Sequence, residues 1–154
     1  MSEIEVNLKR LGIILPPVPT PVAAYVPYVV ADQLVFVSGQ LPSQNGHLRF
    51  TGKIPTAVSV ENGQEAAKLA LLNALAVLHQ ACAGEWSKVD RVVRLGVFVQ
   101  CMDDFTQQST VANGASNLLL EIFGQAGRHA RAAVGVNALP LGATVEVELV
   151  ARLK

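Results

Sequence analysis

His-Ala-Arg-Ala-Ala-Val-Gly-Val-Asn-Ala-Leu-Pro-Leu-Gly-Ala-Thr-Val-Glu-Val-Glu-Leu-Val-Ala-Arg-Leu-Lys, residues 129–154, is the stretch that decides the fold. Its period reads as two strands joined by a turn. Ala132, Val134, Val136 and Ala138 alternate with Arg131, Ala133, Gly135 and Asn137. After Leu139-Pro140-Leu141-Gly142, Val145, Val147 and Leu149 alternate with Glu146 and Glu148. Successive side chains on a strand point to opposite faces. Each strand therefore has one aliphatic face and one face that carries Arg131, or Glu146 and Glu148, with Gly135 leaving space beside them. On pattern alone the favoured reading is a half-exposed sheet edge with its charges in water.

Outward from this stretch, the 154 residues read as a single domain, 1–154, in which residues 1–22 form an N-terminal helix and a Pro-rich strap. Ser2 and Glu5 have the spacing of a capping box, and Ile4, Leu8 and Leu11 fall on one side of the turns that follow. Pro16-Pro17-Val18-Pro19-Thr20-Pro21 forces an extended connection lying on the domain surface. Tyr25 to Val30 and Leu34 to Gly39 read as a hairpin, and Ser43 to Ser59 as a polar surface loop that includes an exposed His47. The strongest helix starts at Ser59 or Val60 and is stopped by Gly84. Ala67, Leu71, Ala74, Leu75 and Leu78 make its buried stripe, Lys68 and Asn73 interrupt the remainder, and His79 falls at the boundary.

Val89 to Val99 is the next strand, with Val93, Leu95, Val97 and Val99 on one face and Val92, Arg94, Gly96 and Phe98 on the other. Asp104, with Gln107 three residues later, opens a second helix that ends near Phe123-Gly124, and Gly114 inside it calls for close packing or a ligand nearby. The expected order is β-β-α-β-α-β-β, an α+β fold with a mixed β-sheet and two long helices on one face. Two helices cover only that face. The other is too apolar to be left in water and calls for self-association, with Val92, Phe98, Ala133 and Gly135 as its expected surface.

Composition narrows the function classes. Lys plus Arg number 12 and Asp plus Glu 12, so the charge balance gives no electrostatic case for nucleic acid or an anionic membrane as partner. Cys82 and Cys101 are too few for a disulfide framework and read as small buried thiols, which fits a cytoplasmic location. Glu3 and Glu5 are wrong for the basic start of a signal peptide, and five of the eight prolines fall in the apolar stretch Leu11 to Val30, which argues against a membrane span. There is no Gly-rich phosphate loop, Cys-x-x-Cys, His-x-x-x-His or nucleophile elbow. His129, beside Arg128 and Arg131, reads as part of a charged surface or subunit contact.

What remains is an arginine, a carboxylate, a tyrosine and glycines. A guanidinium is a rigid fork matched to a carboxylate, and a carboxylate across a cleft can orient water and accept its proton. That set suits hydrolysis of an imine that carries its own carboxylate, a reaction that needs neither metal nor cofactor because a protonated imine is already electrophilic.

Ala130-Arg131, a short apolar strand, Leu139-Pro140 and Val145-Glu146-Val147-Glu148 resemble the C-terminal signature of the RidA (YjgF-like) family of reactive-intermediate deaminases. Tyr25 upstream of Val37-Ser38-Gly39-Gln40-Leu41-Pro42 is similar to the family's N-terminal block. The resemblance covers about residues 20–154 and implies a chorismate-mutase-like fold, a homotrimer with clefts between subunits, and hydrolysis of 2-imino acids or enamines to 2-oxo acids and ammonia. By the same resemblance Arg131 clamps the substrate carboxylate and Glu146 positions the water, while Tyr25, Gly39, Asn113 and Ala133 bind substrate. Two departures stand out: common members read Pro-Ala-Arg-Ser and often carry a cysteine two residues after the arginine, where this chain has His129-Ala130-Arg131-Ala132-Ala133. The N-terminal extension places the chain nearer a longer branch. The alternative function is a non-catalytic trimer that uses the same clefts to bind small carboxylates or partner proteins.

Overall fold

The computed structural model describes residues 1–18, 20 and 23–154; part of the Pro-rich strap, Pro19, Pro21 and Val22, lies outside the described residues. Among the described residues seven strands and three α-helices follow one another: α1 (Glu3–Arg10), β1 (Tyr28–Ala31), β2 (Leu34–Gln40), β3 (Ser43–Gln44), β4 (His47–Leu48), α2 (Val60–Ala81), β5 (Val89–Gln100), α3 (Gln108–Phe123), β6 (Ala130–Val136) and β7 (Val145–Leu153). Five of the strands form one sheet in the order β1-β2-β7-β5-β6. Only the β5–β6 pair is parallel, so the sheet is mixed. β3 and β4 make a separate two-stranded hairpin. The last two long strands are therefore not neighbours, because β5 lies between them.

Helices α2 and α3 lie side by side on one face of this sheet. Val35, Val37, Leu95, Val97, Val99, Val145, Val147, Leu149 and Ala151 bury against them. Helix α2 starts where Ser59 accepts a hydrogen bond from Asn62 N, and it keeps most of its length out of water. Asn73 departs from the expected pattern. It is only 2% exposed and donates to the carbonyls of Leu41 and Ser43, tying the chain after β2 down to the helix. A buried amide persists only with such partners. The close approach called for at Gly114 is real: a Cβ there would strike the backbone carbonyl of Gln64, so α3 packs on α2 backbone to backbone.

Several local expectations are corrected. The first strand begins at Tyr28 rather than Tyr25, since Pro27 has no N–H to give the ladder. Residues 26 and 27 are instead held by Ser38, whose hydroxyl donates to Val26 O and whose N–H donates to Pro27 O. The stretch 43–59 is not all surface loop, because Ile54 is fully buried and runs alongside the end of β5 through bonds with Gln100 and Met102. Helix α3 starts at Gln108, without a side-chain cap, rather than at Asp104.

The uncovered face of the sheet is also composed differently. A bulge between Val92 and Arg94 switches the alternation of β5, so Val92 joins the core and Val93 leaves it. Ala133 and Gly135 pair with the inward-facing Val97 and Val99, so they too point to the helix side. Of the expected surface only Phe98 is kept, joined by Phe36, Ala132, Val134 and Val150. Phe36 and Val134 are each 44% exposed.

The N-terminal helix has the expected capping box between Ser2 and Glu5. It packs on α3, where Asn7 donates to Ile122 O at 3.0 Å and satisfies one of the orphan carbonyls at that helix end. Ile13, Leu15 and Val18 continue over the core as a strap. His79 stacks on Trp86 with ring centroids 4.8 Å apart, and both cysteines are free and buried. Among the described residues no helix is long and apolar enough to cross a membrane.

Gly114→Ala gains helix propensity of about 1 kcal/mol but forces the two helix backbones apart, for a net loss of about 1–2 kcal/mol. Urea denaturation at fixed protein concentration should show a lower midpoint for this variant, and an unchanged or higher midpoint would contradict the packing described.

Candidate active site

The polar face of β6 and the polar face of β7 lie on opposite sides of one sheet. Arg131 pairs with Leu95, whose side chain is inside the helix-covered core. Its own side chain therefore points to the helix side, at the open edge where β6 meets α3. There Arg131 Nη1 donates to Asn113 Oδ1 at 2.8 Å and to Ser116 Oγ at 3.1 Å. Asn113 and Ser116 are three apart on α3, so they share a face of that helix. Among the described residues Nη2 and Nε have no protein partner, which leaves that side of the fork open to a carboxylate. Ala133 follows Arg131 on the same side of the strand, and beyond it Gly135 makes room for Cys101 and Gln108.

Ser116 and His129 were not expected in this cluster. His129 is half-buried, and its ring bonds Gly127 O at 2.6 Å and Ser116 Oγ at 2.9 Å. It is thus part of a hydrogen-bonded network rather than a charged surface. The i, i+3 spacing of Asn113 and Ser116 was the available signal for the serine. Nothing local in the sequence announces the partner of His129.

Glu146 sits on the other face. It is directly opposite Phe98, which in turn is opposite the exposed Val134. Its carboxylate folds over Gly39, where a Cβ would collide with it. The glycine leaves room for the carboxylate where it lies; a larger residue would push the Glu146 side chain aside. Burial pushes the Glu146 carboxyl above the ordinary carboxylate value, and the charge of Glu148 adds to the shift. No hydrogen-bond donor reaches Glu146 among the described residues. Glu148, two residues on, is paired with Arg94 at 2.8 Å. Gly39 also borders a cleft of about 480 Å³ with Tyr25, Pro27, Gln40, Leu48 and Leu141. Tyr25 is 53% exposed at its mouth.

The residues expected to form one site thus fall into two groups within a chain. Arg131, Asn113 and Ala133 belong to the helix side of the β6 edge; Glu146, Gly39 and Tyr25 belong to the far side, around β2 and β7. Arg131 and Glu146 are two strands apart and three residue pairs apart along the ladder, about 10 Å in each direction, and they point away from each other. Among the described residues no group of three His, Cys, Asp or Glu side chains is placed to hold a metal ion.

Residues 5–153 match the family model described as "YjgF/chorismate_mutase-like, putative endoribonuclease". Protein TCP17 of Trypanosoma cruzi is 46% identical over 99% of this chain and 95% of its own length. The solved structure of Atu1372 from Agrobacterium tumefaciens, a protein of unknown function, superposes with a TM-score of 0.89 at 42% identity, over 97% of this chain and 91% of that one. The structure of Escherichia coli TdcF with bound serine has a TM-score of 0.61 at 26% identity, over 90% and 93% of the two chains. On the family model and the relatives together, the chain belongs to the YjgF/chorismate-mutase-like family, the RidA-like proteins that its two sequence blocks resemble.

Proposed function

We propose that this protein is a 2-imino acid or enamine deaminase whose site is assembled between two copies of the chain in a homotrimer. The single observation that carries the proposal is the placement of Arg131 and Glu146 on opposite faces of one sheet. Arg131 is oriented by its partners on α3, Glu146 has no hydrogen-bond donor among the described residues, and each lacks the other. An apolar, uncovered sheet face bearing Phe36, Phe98, Val134 and Val150 supplies the reason to associate. Packing these faces around a closed threefold axis brings the Glu146 side of one subunit to the β6 edge of the next, because a cyclic assembly repeats one heterologous contact.

In the assembled cleft the open side of the Arg131 fork takes the substrate carboxylate as a bidentate pair. Asn113 and Ser116 occupy the remaining nitrogen and set the angle of the fork. Glu146 of the neighbouring subunit holds a water molecule over the imine carbon. As the water oxygen forms its bond to carbon, the C=N π pair moves to nitrogen and Glu146 accepts the water proton. With the imine protonated at the start, passing that proton to nitrogen makes ammonia the leaving group; the C–N bond breaks, the C=O bond closes as the Glu146 carboxylate takes the hydroxyl proton, and a 2-oxo acid remains. A base works best with a pKa near the working pH, and the raised carboxyl of Glu146 moves in that direction. Tyr25, Gly39 and Ala133 line the cleft around the substrate side chain.

The second reading is a trimeric module that binds small carboxylates without turnover. TdcF is a family relative whose structure holds serine, an amino acid with its own carboxylate. The serine and cysteine side chains common beside the family's arginine are replaced here by Ala132 and Ala133. Both readings use Arg131, and only the first needs Glu146 as a base. The family's ribonuclease label fits less well, given equal numbers of basic and acidic residues.

The assembly is checked by light scattering, which should give a trimer at micromolar concentration; a monomer would refute the shared site. Activity is checked by generating the imine in place with an amino-acid oxidase and following its decay to the 2-oxo acid. Losing one buried partner of a charged bidentate pair costs about 2–5 kcal/mol, so Arg131→Ala should lose about thirtyfold to several-thousandfold in rate while staying trimeric. Arg131→Lys should recover little, because an ammonium lacks the planar fork. Glu146 must be ionised to act, so kcat/KM should rise with pH through its elevated pKa, on an acid limb lying above the ordinary carboxylate range. Glu146→Gln should remove that limb and lower kcat more than it weakens binding of a 2-oxo acid. Full activity in Arg131→Ala would show that the site lies elsewhere, and binding through Arg131 with no turnover of any imine would favour the binding module.

A further inference from the structure

We infer that His129 is a positioning residue for Arg131, setting the orientation of the guanidinium through the hydroxyl of Ser116. The inference rests on the reading of Arg131 as the carboxylate clamp, but the relay itself is read from geometry alone. With the His129 ring neutral, the direction of every bond in it is fixed. His129 Nδ1 lies 2.6 Å from the carbonyl oxygen of Gly127. A carbonyl can only accept, so Nδ1 carries the proton. In the neutral ring Nε2 then has a lone pair and accepts. Ser116 Oγ, 2.9 Å away, is the donor that meets it. With its proton committed to His129, the Ser116 oxygen turns its lone pairs to Arg131 Nη1 at 3.1 Å. Asn113 Oδ1 accepts from the same nitrogen at 2.8 Å.

Two acceptors on one nitrogen fix rotation about the guanidinium, and Nη2 and Nε have no protein partner among the described residues. The anchor of the relay is rigid. Gly127 is buried in the turn Gly124–Gly127, and a Cβ there would lie 2.5 Å from the carbonyl oxygen of Leu119. That turn therefore sits hard against α3, the helix that supplies Asn113 and Ser116. Ser116 itself is 8% exposed, so water does not readily replace the imidazole. Without His129 the hydroxyl is free to bond the helix carbonyl one turn back, the usual choice for a serine within a helix, and its lone pairs leave Arg131. His129 stands where common family members carry proline, so this support is a feature of this chain's own sequence rather than of the shared Ala-Arg signature.

The test uses the ligand-free protein, labelled with nitrogen-15 in histidine and arginine, so its result is independent of any turnover of imines. Under conditions where the ring is neutral, His129 should show a protonated Nδ1 and an unprotonated Nε2, and the Arg131 guanidinium should rotate slowly. His129→Ala and Ser116→Ala break the relay from its two ends, and each should bring Arg131 into fast rotation. His129→Gln, whose side-chain oxygen can still accept from Ser116, should keep it slow. In the deaminase assay His129→Ala should raise KM roughly threefold to tenfold, the effect of one neutral hydrogen bond, with a smaller change in kcat. The double variant His129→Ala/Ser116→Ala should be no worse than either single one, because both remove the same relay. A proton on Nε2, slow rotation of Arg131 in both single variants, or additive losses in the double variant would overturn the inference.

Discussion

Alternation of side chains along a strand, together with helices on only one face of the sheet, is the constraint from which the rest of this structure follows. Arg131 and Glu146 are both the polar positions of their strands, yet the polar positions of β6 point under α3 and those of β7 point away from it. The two strands have opposite needs. β7 lies in the middle of the sheet and buries Val145, Val147 and Leu149 beneath the helices, so its charges go outward. β6 is the edge strand, where the helix layer ends, and its inward positions can carry an arginine that reaches Asn113 and Ser116 while still meeting solvent. A site that needs both groups cannot be closed within one chain.

The electrostatics of the two faces separate structural charges from available ones. Glu146 and Glu148 are neighbours on the same face of the same strand. Glu148 is neutralised by Arg94, beside a Gly96 whose missing side chain leaves room for the pair. Glu146 is desolvated without a cation of its own among the described residues, and its carboxyl is pushed up accordingly. Arg131 shows the complementary arrangement. It is held by the neutral acceptors of Asn113 and Ser116, so its orientation is set and its charge remains uncompensated. An anionic ligand completes such an arginine far better than it would one already paired with a carboxylate.

Element type and order were legible in the sequence because they rest on period: the alternating runs of β5, β6 and β7, the stripe of Ala67, Leu71, Leu75 and Leu78, and the capping box at Ser2. Arg131, Glu146 and Gly39 could be nominated from the two sequence blocks and Asn113 from the second helix; of these, Arg131 and Asn113 meet within the chain, at 2.8 Å. Three features resisted reading, each for a non-local reason. The bulge at Val93 shifts the faces of β5 by one residue, and a period of two carries no trace of it until the partner strand is known. The insertion of β5 between β6 and β7 is a matter of topology, which a turn such as Leu139–Gly142 does not encode. The partners of Asn73 lie after β2 and the hydroxyl that meets His129 belongs to α3, so an interruption in a helical stripe and a charged-looking histidine are buried or half-buried anchors.

The central claim is that Arg131 of one subunit works with Glu146 of another, and subunit complementation tests it most directly. Arg131→Ala and Glu146→Gln proteins, each strongly impaired by itself, would be mixed in equal amounts, dissociated and reassembled. In a trimer with one shared contact, random reassembly rebuilds about a quarter of the sites from an intact arginine of one copy and an intact glutamate of the next. The account predicts recovery of deaminase activity toward that fraction. If the reassembled mixture is as inactive as its parents, the two residues do not meet across a subunit boundary and the account fails.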